Sequence, residues 1–322
     1  MISKNSFDIS DKYGRSFKTL RVSLTNQCNL GCTYCVPSMK NNKNLNAPPP
    51  LDVDNLINAV QSLHDILHLQ TVRLTGGEPI LYRDLIPFIK GMKEINIPNI
   101  KMTTNGYALA NKVMEFKIAG LTNINISLDA VDQETFYVIS RRKNLSRILE
   151  GIEQAIDAGL AVKINCVIMK GINDHQIIPL LEYATDRNIP IRFLELMKMG
   201  HLQENYQKYL FTQEEILEVL SHEFSFSRMG RATSATANYW KLSNGYRFGI
   251  IANISHPFCN DCDRLRLDSY GNLYGCLSSD TPVSIRECLD DKKKLSEKLQ
   301  MALGHKKTKF CGSALSMKSI GG

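Results

Sequence analysis

The chain has 322 residues, 43% of them hydrophobic and 22% charged, proportions that exclude a disordered or fibrous chain and leave room for a large buried core. Its formal net charge of +7 fits either an excess spread over solvated faces for solubility or a polyanionic partner, nucleic acid and nucleotide alike, so the positions of the cations must decide. The first residues, MISKNSFDISDKYGRS, hold no apolar signal core, and no apolar run approaches membrane-spanning length, which excludes a membrane span and predicts a cytoplasmic protein.

In chain order, six short β-branched runs recur: KTLRVSLT (18–25), TVRLT (71–75), NIKMT (99–103), TNINISL (122–128), VKINCVIM (162–169) and IPIRFLEL (189–196). Amphipathic stretches at 54–69, 83–95, 111–119, 145–158 and 175–187 fall between them. Strands alternating with helices imply parallel pairing through right-handed crossovers. Six such units predict an α/β chain built on a partial (βα)6 TIM-type barrel. APPPLD (47–52) reads as a rigid surface connection. Beyond about residue 197 the rhythm stops. A helix at 212–222 precedes short antiparallel strands at 224–229, 238–242, 246–251, 264–269 and 272–275, punctuated by NG (244–245) and YGN (270–272). A last helix is expected near 284–302. Two domains follow, 1–199 and 200–322, the second an α+β module covering the open side of the barrel.

The barrel strands end in chemistry. CNLGCTYC (28–35) follows the first, GGEP (76–79) the second, TNG (104–106) the third and DA (129–130) the fourth. Barrel enzymes build their sites at this edge. In a reducing compartment clustered cysteines read as metal ligands or catalytic groups. Six of the nine fall into two triplets, Cys28, Cys32 and Cys35, then Cys259, Cys262 and Cys276. Three thiolates can hold three irons of a four-iron cluster and leave the fourth open to a small molecule. The competing reading is zinc completed by another side chain, and His256 keeps it alive for the second triplet. Cys166, Cys288 and Cys311 stand alone and read as small buried hydrophobes.

Four strands carry a cation inside an apolar run: Arg21, Arg73, Lys163 and Arg192. A charge there is costly unless paired. Each alone could snorkel to the rim or meet a carboxylate such as Glu195. Four converging on one lumen fit a bound polyanion better, and Arg264 and Arg266 add two more on one strand face. Guanidinium forks suit phosphate oxygens. A duplex needs an exposed basic face instead, which argues against nucleic acid.

C-x3-C-x2-C with Tyr34 before the last cysteine, together with GGEP, resembles the radical S-adenosylmethionine (SAM) superfamily. More narrowly, DKYGR, LRVSLTNQCNLGCTYC, RLTGGEP, TTNG, INISLDA, FCNDCDRLRL and the terminal GG resemble the GTP 3′,8-cyclase family, from about residue 11 to the last. The resemblance implies a SAM-binding [4Fe-4S] cluster on Cys28, Cys32 and Cys35 and a second on Cys259, Cys262 and Cys276 whose open iron contacts guanine. It implies SAM contacts at Tyr34, Gly77, Ser127 and Met197. It implies GTP contacts at Arg21, Arg73, Thr103, Lys163, Arg264, Leu265 and Arg266, with Arg192, Arg264 and Arg266 as active-site arginines. It implies that a 5′-deoxyadenosyl radical takes the ribose 3′ hydrogen, that the new carbon radical attacks C8, and that this step begins molybdenum cofactor synthesis. A cyclic pyranopterin monophosphate synthase would take the product, an external electron donor would feed the enzyme, and the family tends to be homodimeric. The family places the Gly321-Gly322 tail in the active site. Thr71 stands where the family commonly has Lys, and Val36 where it has Met. The alternatives are a peptide-modifying maturase of the same superfamily, or a non-catalytic iron–sulfur or zinc protein.

Overall fold

The computed structural model describes residues 9–37 and 49–321, so Ala47 and Pro48 of the proline-rich connection and Gly322 of the tail lie outside the described residues. The six expected strands form as β1 (Thr19–Ser23), β2 (Thr71–Thr75), β3 (Asn99–Thr104), β4 (Asn123–Ser127), β5 (Ala161–Ile168) and β6 (Ile191–Glu195). Helices α1 (Val53–Leu67), α2 (Leu85–Glu94), α3 (Val113–Ala119), α4 (Gln133–Ser140), α5 (Ser146–Asp157) and α6 (Ile177–Asp186) connect them. Then come α7 (Tyr206–Tyr209), α8 (Gln213–Ser221), β7 (Phe226–Gly230), β8 (Asn238–Leu242), β9 (Arg247–Ile251), β10 (Arg264–Asp268), β11 (Asn272–Tyr274), β12 (Val283–Ser284), α9 (Lys292–Gly304) and α10 (Met317–Ile320).

Local chemistry sets the boundaries. Asp52 accepts a hydrogen bond from the Asn55 N–H at 2.8 Å and starts α1, and left-handed His68 ends it. Leu56, Val60, Leu63 and Leu67 of α1 are buried at the three-to-four spacing of one helix face. Burying each such side chain contributes roughly 1.5–3 kcal/mol. A reciprocal capping box between Thr212 and Glu215 opens α8. Helix α4 was not expected from sequence. Phe136, Tyr137, Val138 and Ile139 are poor helix formers, and the solvent exposure of Tyr137 and Val138 blurs the apolar stripe. The last helix starts at Lys292, not near 284, because β12 and turns occupy the start of the expected span and Asp291 supplies the N-cap.

Among the described residues, twelve strands join one sheet in the order β12-β11-β10-β1-β2-β3-β4-β5-β6-β9-β8-β7. From β1 to β6 every pairing is parallel, as a barrel wall requires. The C-terminal strands extend this wall at both edges. Their expected antiparallel pairing holds within each group of three, but β10 lies parallel to β1 and β9 parallel to β6. Along the barrel strands burial alternates. Leu20, Val22, Val72, Leu74, Ile100, Met102, Ile124 and Ile126 sit in the core against the helices. Arg21, Arg73, Lys101, Thr103 and Asn125 occupy the other face, toward the lumen. Cys166 and Cys288 are buried as expected, whereas Cys311 is exposed, the opposite of the expected buried hydrophobe. No described helix is long and apolar enough to cross a membrane.

Candidate active site

The first cysteine triplet sits on the loop after β1, and neighbouring loops grip its backbone. The N–H groups of Gly77 and Glu78 donate to the carbonyls of Thr25 and Gln27 at 2.6 and 2.7 Å. Gly31 and Thr33 donate to Ser140 and Ile139 at the end of α4, and Arg142 Nε donates to the Asn29 carbonyl at 2.8 Å. A Cβ on Gly77 would collide with the Gln27 carbonyl. The glycine is therefore needed so that the GGEP backbone can meet the cysteine loop, before any ligand is considered.

Glu78 ties this loop to the next strand end. Its buried carboxylate accepts from Thr104 Oγ1 at 2.6 Å and the Asn105 N–H at 2.7 Å, and burial raises its pKa to about 7. Asn105 Nδ2 in turn donates to Asn29 Oδ1 at 2.8 Å and approaches Cys28 Sγ at 3.7 Å. On the far side, Asp129 accepts from Tyr34 Oη and the Val167 N–H, both at 2.8 Å, and burial raises its pKa to about 6. One cavity is lined by the three cysteines together with Tyr34, Gly77 and Ser127, three of the four expected SAM contacts. Met197 is not on its wall. It packs in a small apolar cluster with Met199, Tyr274 and Ile320.

The donor chemistry fits a metal cluster. Burial first, and then charge at neighbouring groups, pushes Cys32 well above the ordinary thiol range and Cys35 up to about 11. Buried thiols that resist ionisation give up their protons to a metal, not to water. Among the described residues no three His, Cys, Asp or Glu side chains converge to hold a single metal ion.

The second triplet is assembled from two segments. Cys259 and Cys262 close a turn before β10, and Cys276 follows β11. Arg15, in a buried pair with Asp11, donates to the carbonyls of Cys259 and Lys307, the latter at 3.1 Å. Buried Lys306 donates to Cys262 Sγ at 3.4 Å and to the Arg264 carbonyl at 2.7 Å. Burial raises Cys259 to about 11, but for Cys262 the charges of Arg264 and Lys306 outweigh burial and lower its pKa. His256, the candidate zinc ligand, is exposed and bonds Glu214 at 2.6 Å.

Between the triplets the lumen is cationic. Register places Arg266, Arg21, Arg73 and Lys101 level on four adjacent strands. Burial, and then the Arg266, Arg73 and Arg264 charges, hold Arg21 well below the ordinary guanidinium pKa, and Arg73 falls to about 10 through burial and Arg192. Arg73 donates to Thr103 Oγ1 at 3.3 Å. With its amide oxygen turned toward the guanidiniums, Asn125 accepts from Arg73 and Arg192, each at 2.8 Å. The Nε groups of Arg21 and Arg192 are buried with no partner. Lys163 is opposite Asn125 on β5, and Arg192 opposite Asn165 on β6. Glu195 does not neutralise this set. Its buried carboxylate is taken up by the Ser255 hydroxyl and the N–H groups of Gln213, Ile254 and Ser255. Arg264 donates to the Ser234 carbonyl at 2.8 Å, and the Leu265 side chain turns into the core, away from the lumen.

The tail reaches this chamber. Arg266 donates to the carbonyls of Ile320, at 3.3 Å, and Gly321. Gly321 has φ 76°, and a Cβ there would collide with Thr75 Oγ1. The glycine is what lets the tail lie against the ends of β1 and β2.

The chain is similar to known proteins. A "GTP 3′,8-cyclase" of Corynebacterium glutamicum strain R is 38% identical over 297 residues, 87% of this chain and 78% of the relative. One from Campylobacter fetus is 36% identical over 304 residues, 93% of this chain and 92% of the relative. The chain belongs to the GTP 3′,8-cyclase family. The "Radical SAM superfamily" pattern matches residues 22–184 and the "Molybdenum Cofactor Synthesis C" pattern residues 189–311. Among solved structures, Streptococcus suis SuiB bound to S-adenosylmethionine overlays with a TM-score of 0.62 at 15% identity, covering 88% of this chain and 68% of that one, a likeness of fold.

For this family member, sequence reasoning missed Lys101, Asn125 and Lys306, and it picked out Asp129 in DA (129–130) and Arg15 in DKYGR without giving either a partner. Lys101 carried a readable signal, a cation inside the apolar run NIKMT, the same signal that singled out Arg73. Asn125 likewise interrupts an apolar run. Lys306 lies in a basic stretch whose burial only the fold reveals.

Proposed function

We propose that the lumen binds GTP and SAM together and converts GTP to (8S)-3′,8-cyclo-7,8-dihydroguanosine 5′-triphosphate. Membership in the family makes the chain a radical SAM enzyme acting at the first step of molybdenum cofactor biosynthesis. The observation that carries the GTP reading is that, among the described residues, the lumen cations Arg21, Arg73, Arg192 and Arg266 have no carboxylate partner, and the Nε donors of Arg21 and Arg192 are orphaned. Such charges are costly unless an anion neutralises them.

Cys28, Cys32 and Cys35 would hold the SAM-binding [4Fe-4S] cluster, and Cys259, Cys262 and Cys276 the second one. When bound, the first cluster with SAM supplies a 5′-deoxyadenosyl radical. The chain's own residues bind, orient and exclude water. Tyr34, Gly77 and Ser127 line the SAM side. Met197 would join them from its apolar cluster. Arg21, Arg73, Thr103, Lys163 and the Arg264-Leu265-Arg266 run take the triphosphate and base, with Arg192, Arg264 and Arg266 nearest the reacting nucleotide. A radical that reacts with many C–H bonds gains selectivity only from fixed orientation. The shared sheet register and the tail held by Arg266 support that role.

The functional division falls near residue 199, with the SAM-facing barrel before it and residues 200–322 bringing the second triplet. A soluble electron donor reduces the enzyme in the cytoplasm, and a cyclic pyranopterin monophosphate synthase consumes the product. The family habit suggests a homodimer. Neither nucleic acid nor membrane is a partner in this reading. A maturase or a non-catalytic metal protein would have no use for the cationic lumen.

Anaerobic incubation of iron-loaded protein with SAM, a strong reductant and GTP tests the proposal. 5′-Deoxyadenosine should form only when GTP is present. A fully loaded protein that forms none with GTP, yet forms it with a peptide substrate, would overturn it.

A further inference from the structure

We infer that Lys101 is an additional binding residue for the triphosphate, supplying from β3 the lumen ammonium that Thr71 does not supply from β2. The inference rests on the GTP reading above and deepens it. Lys101 is level with Arg73 in the β2–β3 register and two residues before Thr103 on the same strand face. Arg73 and Thr103 are themselves hydrogen-bonded, so Lys101 belongs to the same patch of wall. It is half-buried, and the charges it feels are those of Arg73 and Arg192, both of its own sign. Among the described residues no carboxylate pairs with it and its ammonium makes no hydrogen bond.

A half-buried ammonium beside Arg73 and Arg192 is repelled by both. An anion entering the lumen would relieve that repulsion. The alternative, that its stem merely covers apolar wall while the head reaches water, is the usual fate of a strand lysine. It does not explain why a second cation is placed level with Arg73 on the lumen face.

Thr71 gives the inference its sharpest form. Thr71 pairs with Asn99 and Arg73 with Lys101, so Thr71 and Lys101 are diagonal neighbours on one face. Diagonal neighbours lie about 7–8 Å apart at Cα, within the reach of a lysine side chain. A lysine at either position can therefore deliver its ammonium to overlapping space, and this chain carries it at 101.

The test is calorimetric titration of nucleotides into the full chain loaded with iron. Lys101→Met keeps the stem and removes the charge. GTP Kd should rise tenfold or more, GMP Kd far less, and Lys101→Arg should stay near wild type. Moving the lysine, in Thr71→Lys/Lys101→Met, should recover most of the lost GTP affinity. GTP binding unchanged in Lys101→Met, or an equal loss for GTP and GMP, would overturn the inference. If Lys101→Met fails to fold, Lys101→Gln and the relocated-lysine variant read the same contrast. Wild-type protein that binds no GTP would refute the underlying GTP reading instead.

Discussion

Replacing Gly321 by alanine should free the tail from the active site while leaving all six cysteines of the two triplets in the sequence. Gly321 has φ 76° and ψ 109°, outside the regions that residues with a Cβ readily occupy. That conformation alone costs about 1–3 kcal/mol. The added Cβ would also collide with Thr75 Oγ1, which is fixed by donation to the Val22 carbonyl at 3.1 Å, and would crowd Ser23 Cβ at 3.1 Å. Together these reach roughly 3 kcal/mol, comparable to what the Arg266 bonds can return at about 1.5–3 kcal/mol for a charged donor. The docking equilibrium constant should then fall by a factor on the order of 100. Trypsin cleavage after Lys318, followed by mass spectrometry, reads the open fraction when reclosing is fast. Cleavage should accelerate sharply in Gly321→Ala. Thr75→Ala in the same chain should recover part of the protection by removing the colliding oxygen. Equal cleavage rates in wild type and Gly321→Ala, or no recovery in the double variant, would refute the reasoning.

Three other outcomes follow from the same geometry. Arg266→Ala should leave iron content intact and weaken GTP binding by ~1.5–3 kcal/mol, read by calorimetry; unchanged affinity would remove Arg266 from the nucleotide site. Asn125→Asp places a carboxylate between Arg73 and Arg192, so the nucleotide-free chain should gain stability by ~1.5–3 kcal/mol while GTP binds more weakly; both effects in the same direction would contradict the placement of Asn125. Burial raises Glu78 to about 7 from an ordinary 4.5, so the folded state holds its proton longer than the unfolded one and stability falls as pH rises between those values. The stability gap between wild type and Glu78→Gln, from denaturant titrations, should shrink by roughly 3 kcal/mol across that window. A constant or growing gap would show that Glu78 ionises freely.

The barrel was legible because each parallel strand is short, β-branched and bounded by a turn, and β2 falls on TVRLT residue for residue. The cysteine triplets and most lumen cations were legible because a thiol cluster or a buried charge violates the pattern around it. The sheet's completion was not. β9 and β10 are separated from β6 and β1 by long stretches of chain, and no local signal says that a strand following a hairpin will run parallel to one more than two hundred residues earlier. The grip on the second triplet was hidden for the same reason, since Arg15 and Lys306 come from opposite ends of the chain. The role of Gly77 was legible in kind but not in partner. Its missing Cβ makes room for Gln27, not directly for a ligand.

The central claim is that the second triplet holds a cluster facing the nucleotide across the cationic lumen. The full chain carrying Cys28→Ala, Cys32→Ala and Cys35→Ala should retain about four irons, and the spectrum of that iron should change when GTP is added. Loss of all iron from this variant, or a four-iron spectrum indifferent to saturating GTP, would contradict the account.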